Sequence, residues 1–275
     1  MKNSIAIKLD SISFSYEEGL EVLSNIAFEI NDNEYVCIIG HNGSGKSTIS
    51  KILMGLLKPT SGSIEVYGNK INHLNLTYLR KNIGIIFQNP DSQFIGLTPE
   101  DDIAFGLENL KINREEIGTI IRNVSNVIDI KDFLNVEANM LSGGQKQKVA
   151  IASILAMNPR IIIFDESTSM LDPKSKKELK DIFLDLKTKS KKTIISITHD
   201  MDEVLLCDKV IVLDKGKLVK IGPPSDVFKD LEFLKKISLD FPFILKLSWL
   251  LKEKNKKINL SLDNQSLIGQ LCKKK

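Results

Sequence analysis

The feature that most constrains this chain is the stretch GHNGSGKST at 40–48, which directly follows the apolar run YVCIIG. It matches the pattern Gly-x4-Gly-Lys-Ser, in which a strand leads through a glycine-rich loop into a helix. Gly43 and Gly45 let the backbone wrap a triphosphate, Lys46 reaches the outer phosphates, and the hydroxyl of Ser47 can ligate Mg²⁺. The stretch therefore predicts a P-loop. Its predicted nucleotide-binding residues are Gly40, His41, Asn42, Gly43, Ser44, Gly45, Lys46, Ser47 and Thr48.

In the rest of the chain, short apolar runs alternate with helical patterns, as the strand and helix on either side of a P-loop require. Short apolar runs recur at 35–40, 83–87, 161–165, 193–198 and 209–214. Helical patterns at 46–57 and 174–188 separate some of these runs, which predicts an α/β domain with a mostly parallel sheet. The runs ISFSY and VLSNIAFEI near the start of the chain predict antiparallel strands at a sheet edge.

Between about 92 and 158 the pattern contains helices only, so we expect a helical subdomain that interrupts the α/β core. One of its helices begins at Thr98-Pro99, where a capping residue precedes a proline. We place the domain that carries the P-loop at 1–225 and a small helical C-terminal extension at 226–275.

Polar side chains end three of the predicted strands on the side where the P-loop emerges. Asp165 can hold a Mg²⁺ ion, and the adjacent Glu166 can polarise an attacking water molecule. Gln88 and His199 lie at equivalent ends, and this position favours His199 as a contact for a γ-phosphate. Tyr16 has two interpretations, since it could stack on adenine or simply pack at a strand end.

The stretch LSGGQ at 141–145 contains no acid, base or thiol. Ser142 and Gln145 form a capping box, which predicts a helix that starts here with its amides pointing outward. Such a helix start suits an anion, most often phosphate. The residues of this predicted phosphate-binding loop are Leu141, Ser142, Gly143, Gly144 and Gln145.

The order of the P-loop, Gln88, LSGGQ, IIIFDE, SMLD and His199 resembles the ATPase subunit of ATP-binding cassette (ABC) transporters, across about 5–225. The resemblance implies that LSGGQ closes over the γ-phosphate of ATP on the P-loop of an opposing subunit. Two subunits would then sandwich two ATP molecules. Asp172 would act across the same interface.

The same resemblance assigns roles within one subunit. It implies adenine stacking by Tyr16, a catalytic base at Glu166, and Mg²⁺ ligation by Ser47 and Gln88, which join Asp165 at the metal.

A finer resemblance is to the ATPases of energy-coupling factor (ECF) transporters of the cobalt-transporter type, especially the first of their two paired subunits. FQNPDSQF (87–94), EDDIAFGLEN (100–109) and DESTSMLDP (165–173) carry it. It implies uptake of vitamins or transition-metal ions, with a transmembrane scaffold subunit, an interchangeable membrane substrate-binding component and a second ATPase subunit. Ser167 and Lys148 depart from the usual alanine and arginine, at positions that should not carry the chemistry.

Two alternatives remain open from the sequence. The first is the ATPase of an ordinary ABC importer with a dedicated binding protein. The second is a non-transport ABC ATPase, whose DNA-repair members have long coiled-coil insertions and whose ribosome-acting members usually have two cassettes. This sequence shows neither feature.

Composition argues against other classes of protein. A net charge of +3 with few arginines does not favour a nucleic-acid partner. The isolated cysteines Cys37, Cys207 and Cys272 indicate reduced thiols rather than a disulfide framework. Neither a signal peptide nor a run of about 18 apolar residues is present, so we expect a peripheral protein on the cytoplasmic side of the cell membrane.

The segment from Gln88 to about Phe105 mixes acidic and apolar residues. It predicts an acidic-rimmed apolar groove that suits a basic amphipathic helix of a membrane subunit, although a solvated loop with a capped helix is the alternative. The acids are Asp91, Glu100, Asp101 and Asp102, and the apolar residues are Phe94, Ile95, Leu97 and Phe105.

Overall fold

The computed structural model describes residues 4–17, 19–169, 171–254 and 258–272. Met170 of the SMLD stretch, and parts of the predicted C-terminal extension, lie outside the described residues.

A largely parallel sheet forms the centre of the molecule. The strands are β1 (Ile5–Ser15), β2 (Glu21–Asn31), β3 (Tyr35–Gly40), β4 (Ser61–Val66), β5 (Asn69–Lys70), β6 (Ile83–Ile86), β7 (Ile161–Asp165), β8 (Thr193–Ile197), β9 (Lys209–Asp214) and β10 (Lys217–Gly222). The 6-stranded sheet has the order β10-β9-β3-β8-β7-β6, and only its edge strand β10 runs antiparallel to its neighbour. Every residue of β3, β7 and β8 is buried, as continuous apolar runs predict.

The N-terminal strands do not extend the edge of this sheet. They form a separate 4-stranded antiparallel sheet of order β2-β1-β4-β5. The reason is their pattern, since β2 alternates buried and exposed residues and so has one apolar face. That face packs with the P-loop helix and one side of the parallel sheet in a shared hydrophobic cluster.

The helices are α1 (Lys46–Leu53), α2 (Leu76–Asn82), α3 (Pro99–Asn109), α4 (Arg114–Ile128), α5 (Gly143–Ala156), α6 (Pro173–Thr188), α7 (Met201–Val204), α8 (Pro224–Val227), α9 (Leu231–Lys236), α10 (Phe243–Lys254) and α11 (Asn264–Cys272). Among the described residues, no helix has the length and apolar character needed to cross a membrane.

Three helices of the inserted region, α3, α4 and α5, pack against one another. The Thr98 side chain caps α3 by accepting a hydrogen bond from the amide of Asp101 at 3.2 Å, as the sequence predicted. The C-terminal segment is not wholly separate from the core, because residues of α8 and α9 such as Val227 and Leu234 join the main hydrophobic cluster. A smaller cluster holds α10 and α11 together through Ile244, Ile258 and Leu267.

Candidate functional site

The P-loop connects β3 to α1 and has the backbone that its glycines make possible. Gly43 and Gly45 have φ values of +82° and +101°, in the left-handed region that favours glycine. A Cβ atom at Gly40 would lie 2.3 Å from Ser44 Oγ and 2.4 Å from the carbonyl oxygen of Leu213, so this position tolerates glycine alone. A Cβ at Gly43 would meet nothing within 4 Å, which leaves the concave side of the loop open to a ligand.

The Lys46 side chain bends back along this loop. Its Nζ donates hydrogen bonds to the carbonyl oxygens of Gly40 at 2.9 Å and His41 at 3.1 Å. Burial lowers the pKa of Lys46, and the carboxylates of Glu166 and Asp165 oppose that change. The first amides of α1 lack partners within the helix, so the loop offers a cation and backbone donors together, a donor set that fits a triphosphate.

Asp165 lies at the carboxyl end of β7 and is 7% exposed. It accepts a hydrogen bond from Ser50 Oγ at 2.7 Å, and the same hydroxyl oxygen lies 3.0 Å from the carbonyl oxygen of Ser47. Burial raises the pKa of Asp165, while the bond from Ser50 lowers it. The sequence patterns did not identify Ser50, although it lies one helical turn after Ser47. The hydroxyl and carboxylate oxygens gathered here are ligands that suit Mg²⁺.

Glu166 and His199 are in direct contact. The register of β7 against β8 pairs Asp165 with Ile197, so the residues that follow both strands meet at one edge of the sheet. His199 Nε2 lies 3.0 Å from Glu166 Oε1, and the amide of Glu166 donates to the carbonyl oxygen of Ile197 at 2.8 Å. Glu166 has a φ of +51°, which is uncommon for a residue with a side chain. A cleft that includes Thr198 opens beside this pair.

Tyr16 projects from the end of β1 towards the P-loop helix. Its ring is 55% exposed and packs edge-on against Phe14, with centroids 4.8 Å apart. The Tyr16 hydroxyl lies 3.4 Å from Thr48 Oγ1. The exposed part of the ring could stack on an adenine bound near α1. The remainder of the ring is covered by Phe14.

His41 attaches the P-loop to the end of β9. Its Nε2 lies 2.9 Å from Asp214 Oδ1, and its Nδ1 lies 2.6 Å from the carbonyl oxygen of Asn42. The side chain is thus engaged with protein groups on the outer side of the loop. No local pattern predicts this contact, because His41 and Asp214 are 173 positions apart.

Gln88 is exposed and follows β6 after one intervening residue. The backbone before it is held from both sides, because the amide of Phe87 donates to Gln93 Oε1 at 3.1 Å and its carbonyl accepts from Gln147 Nε2 at 3.4 Å. Gln147 belongs to α5, whose Lys146 also pairs with Asp91 at 2.5 Å. The Gln88 segment is therefore fastened to the helix that LSGGQ begins.

LSGGQ opens α5 with the predicted capping box. Ser142 Oγ accepts from the amide of Gln145 at 3.3 Å, and Gln145 Oε1 accepts from the amide of Ser142 at 2.8 Å. A Cβ at Gly143 would meet nothing within 4 Å, and at Gly144 only Leu171 Cδ2 at 3.8 Å. Leu141 is buried and anchors the loop, so the helix presents an open, glycine-lined N-terminus.

Asp172 caps α6 in this chain. Its carboxylate accepts hydrogen bonds from the Ser175 hydroxyl at 2.6 Å and from the amides of Lys174 and Ser175 at 3.0 and 3.1 Å. These hydrogen bonds, first of all that from the Ser175 side chain, lower the pKa of Asp172. If Asp172 also acts across a subunit interface, it does so in addition to capping α6.

The acidic rim expected for the groove near residues 88–105 is not formed, because Asp91, Glu100 and Asp101 are exposed but lie outside its lining, whereas Asp102 lines it but is buried. Asp102 is 7% exposed and accepts hydrogen bonds from the amide of Ile95 and from Ser153 Oγ, both at 2.8 Å. Asp101 completes the cap of α3 and Asp91 pairs with Lys146, whereas Glu100 is exposed.

The groove itself exists. It has a volume of about 470 Å³, and its lining mixes apolar side chains with two cations and the buried carboxylate of Asp102. We name it the α3 groove, and the residues that define it are Arg80, Lys81, Ile95, Phe105 and Met157.

The chain matches one protein family and is similar to named proteins of other organisms over nearly its full length. The family described as ABC transporter matches residues 23–169. The energy-coupling factor transporter ATP-binding protein EcfA of Malacoplasma penetrans is 61% identical over 270 residues, which cover 98% of this chain and 94% of that protein. The corresponding protein EcfA1 of Ureaplasma parvum is 58% identical and covers 98% and 92% of the two chains.

Solved structures agree with these relatives. The cbiO1 protein of Clostridium perfringens, part of the ABC transporter complex cbiONQ, superimposes with a TM-score of 0.77 at 34% identity and covers 90% of this chain and 99% of that one. The dimeric ATP-binding cassette MJ0796, bound to ADP and Pi in a post-hydrolysis state, gives a TM-score of 0.72 at 30% identity, with coverage of 79% and 98%.

Proposed function

Because this chain belongs to the ABC transporter family, and because its close relatives over nearly the full length are energy-coupling factor transporter ATP-binding proteins, we propose its mechanism from that premise. The chain is an ATP-binding subunit of an ECF transporter, and it hydrolyses ATP to drive transport. The observation that carries the mechanism is the contact of Glu166 with His199 at the edge of the sheet where the P-loop emerges.

Hydrolysis proceeds by in-line attack of water on the γ-phosphate of ATP. Glu166 accepts the proton of the attacking water, and His199 holds that carboxylate in place and contacts the γ-phosphate. Lys46 leaves the carbonyl oxygens of the loop to neutralise the outer phosphates. Ser47, Gln88 and Asp165 would hold Mg²⁺, which supplies charge neutralisation at the phosphates when it is bound.

A complete site needs a second subunit. The open N-terminus of α5 carries backbone donors and a partial positive charge, but no side chain of LSGGQ can act as acid or base. We assign this loop to the γ-phosphate of ATP on the opposing subunit, with Asp172 at the same interface. The partner ATPase is either a copy of this chain or a paralogue. The dimeric arrangement of the similar cassette supports the assignment.

The membrane subunits of the transporter dock on the α3 groove, between the helical subdomain and the core. Ile95 and Phe105 are 66% and 43% exposed, and Arg80 and Lys81 also line the groove. An amphipathic helix of the transmembrane scaffold subunit fits such a groove through its apolar face. We also assign an interchangeable substrate-binding component for vitamins or transition-metal ions, with this subunit on the cytoplasmic side.

The organisation we propose has the ATPase domain at 1–225, its helical subdomain at about 92–158 and the extension at 226–275. Packing of α3, α4 and α5 with one another supports the subdomain, and the small cluster around Ile258 supports a distinct end to the chain.

Co-purification from membranes tests the docking assignment. Ile95→Asp should reduce recovery of the scaffold subunit at least several-fold, because a carboxylate replaces an apolar contact, and it should leave ATP binding intact. Val127→Asp is the matched control, since Val127 on α4 is 68% exposed and does not line this groove. Full recovery of the scaffold subunit with Ile95→Asp, or an equal loss of it with both variants, would show that docking uses a surface other than the α3 groove.

A further inference from the structure

A carboxylate that has no part in the proposed hydrolysis is hydrogen-bonded to Thr198, the residue before His199. Glu203, on the short helix α7, is fully buried. Its Oε1 accepts hydrogen bonds from the hydroxyls of Tyr35, at 3.1 Å, and Ser196, and its Oε2 accepts from the Thr198 hydroxyl at 3.0 Å. Burial raises the pKa of Glu203, and the bonds from Ser196 and Thr198 oppose that change.

This position is costly for a carboxylate, since a buried charge or polar group must be compensated by hydrogen bonds. An apolar side chain on α7 would fill the same space without that cost. The three donors come from different places, namely Tyr35 on β3, Ser196 on β8 and Thr198 just beyond β8. Glu203 therefore fastens α7 to the point at which the chain leaves the sheet.

His199 lies at that point, and hydrogen bonds fix the residues on both sides of it, Thr198 and Asp200. Thr198 Oγ1 donates to Glu203 and also accepts from the amide of Asp200 at 3.0 Å. The Asp200 carboxylate caps α7 through the amide of Glu203 at 3.1 Å and pairs with Lys180 of α6 at 2.8 Å. The backbone around His199 is thus closed into a hydrogen-bonded ring, and only the imidazole extends towards Glu166.

We propose that Glu203 is a positioning residue, which acts through Thr198 to hold His199 against Glu166. This inference rests on the proposed function of His199 and Glu166 in hydrolysis. Glu203 acts on the backbone of the loop rather than on the nucleotide, so its effect falls on turnover and not on ATP affinity.

The test compares three substitutions that each remove one hydroxyl from the same carboxylate. Thr198→Val removes the hydrogen bond to Glu203 together with the one that Thr198 accepts from the amide of Asp200, whereas Ser196→Ala and Tyr35→Phe remove only donors to Glu203 that do not flank His199. We expect Thr198→Val to lower kcat about 10- to 100-fold with unchanged ATP affinity, the size of effect that a misplaced catalytic group causes. The two controls should stay within about twofold of wild type, and Thr198→Ser should restore the rate.

A spectroscopic readout separates positioning from catalysis. The chain has only 3 histidines, so ¹³C-labelled histidine gives a spectrum in which His199 is assigned by substitution. The His199 ring signal should shift in Thr198→Val and stay in place in Ser196→Ala. An unmoved signal, or an equal loss of kcat in all three hydroxyl variants, would overturn the positioning role. A shifted signal with wild-type kcat would support positioning and would contradict instead the role proposed for His199 in hydrolysis.

Discussion

Glu166→Gln isolates the proton acceptor from everything else that Glu166 does. The two side chains have nearly the same shape, and glutamine can still place an oxygen near His199 Nε2, now 3.0 Å from Glu166 Oε1. Both residues carry a Cβ, so the left-handed backbone at φ +51° is strained to the same extent in each. We therefore expect no measurable change in folding stability or in ATP binding.

Turnover should fall sharply, because a neutral amide cannot accept the proton of the attacking water. Loss of a positioned general base costs about 10²- to 10⁴-fold in rate. That factor corresponds to about 3–5 kcal/mol in the activation free energy. The ATP-loaded dimer should accumulate, since it closes but does not hydrolyse.

Phosphate release under single-turnover conditions measures the rate, and size-exclusion chromatography with ATP measures the dimer. Glu115→Gln is the matched control, because it removes the same charge from an exposed position in the first turn of α4. The control should hydrolyse ATP at the wild-type rate. Turnover within about threefold of wild type for Glu166→Gln would refute the catalytic-base assignment, because loss of a general base typically costs at least about 100-fold.

Two further substitutions probe other parts of the site. Ser142→Arg should abolish ATP-driven dimerisation and leave ATP affinity of the monomer unchanged, because it fills the open N-terminus of α5; dimers on a sizing column would contradict the trans assignment. Ser50→Ala should weaken Mg²⁺-dependent ATP binding and lower the free energy of unfolding by about 1–3 kcal/mol, since it removes a donor 2.7 Å from the buried Asp165 carboxylate. Urea denaturation measures the second effect, and an unchanged midpoint would mean that the bond is dispensable.

The local signals in the sequence predicted the main elements closely. β3, β7 and β9 have the predicted bounds, because strands buried on both faces read as uninterrupted apolar runs. The cap at Thr98 and the capping box at Ser142 formed as expected, since all of their atoms lie within a few residues of chain. The assignment of residues to nucleotide, metal and the opposing subunit stays a prediction.

Short helices were not predicted. The four-residue helix α7 is too short to be stable by itself, because the free-energy cost of helix nucleation exceeds the stabilisation from the hydrogen bonds of a single turn. It exists through the burial of Met201 and Val204 and the capping by Asp200. The helix α2 likewise has only Leu79 as a fully buried anchor.

By itself, then, the sequence determined the long helices and the buried strands, and the order in which the chemistry-bearing residues follow them. Only the tertiary structure decided which of those residues meet. Ser50 reaches Asp165 across 115 positions, and Asp102, which the sequence placed on an acidic rim, is buried and hydrogen-bonded to Ser153. Periodicity and capping are set by neighbours along the chain, whereas burial and hydrogen-bond partners depend on how separate elements pack, which no local pattern records.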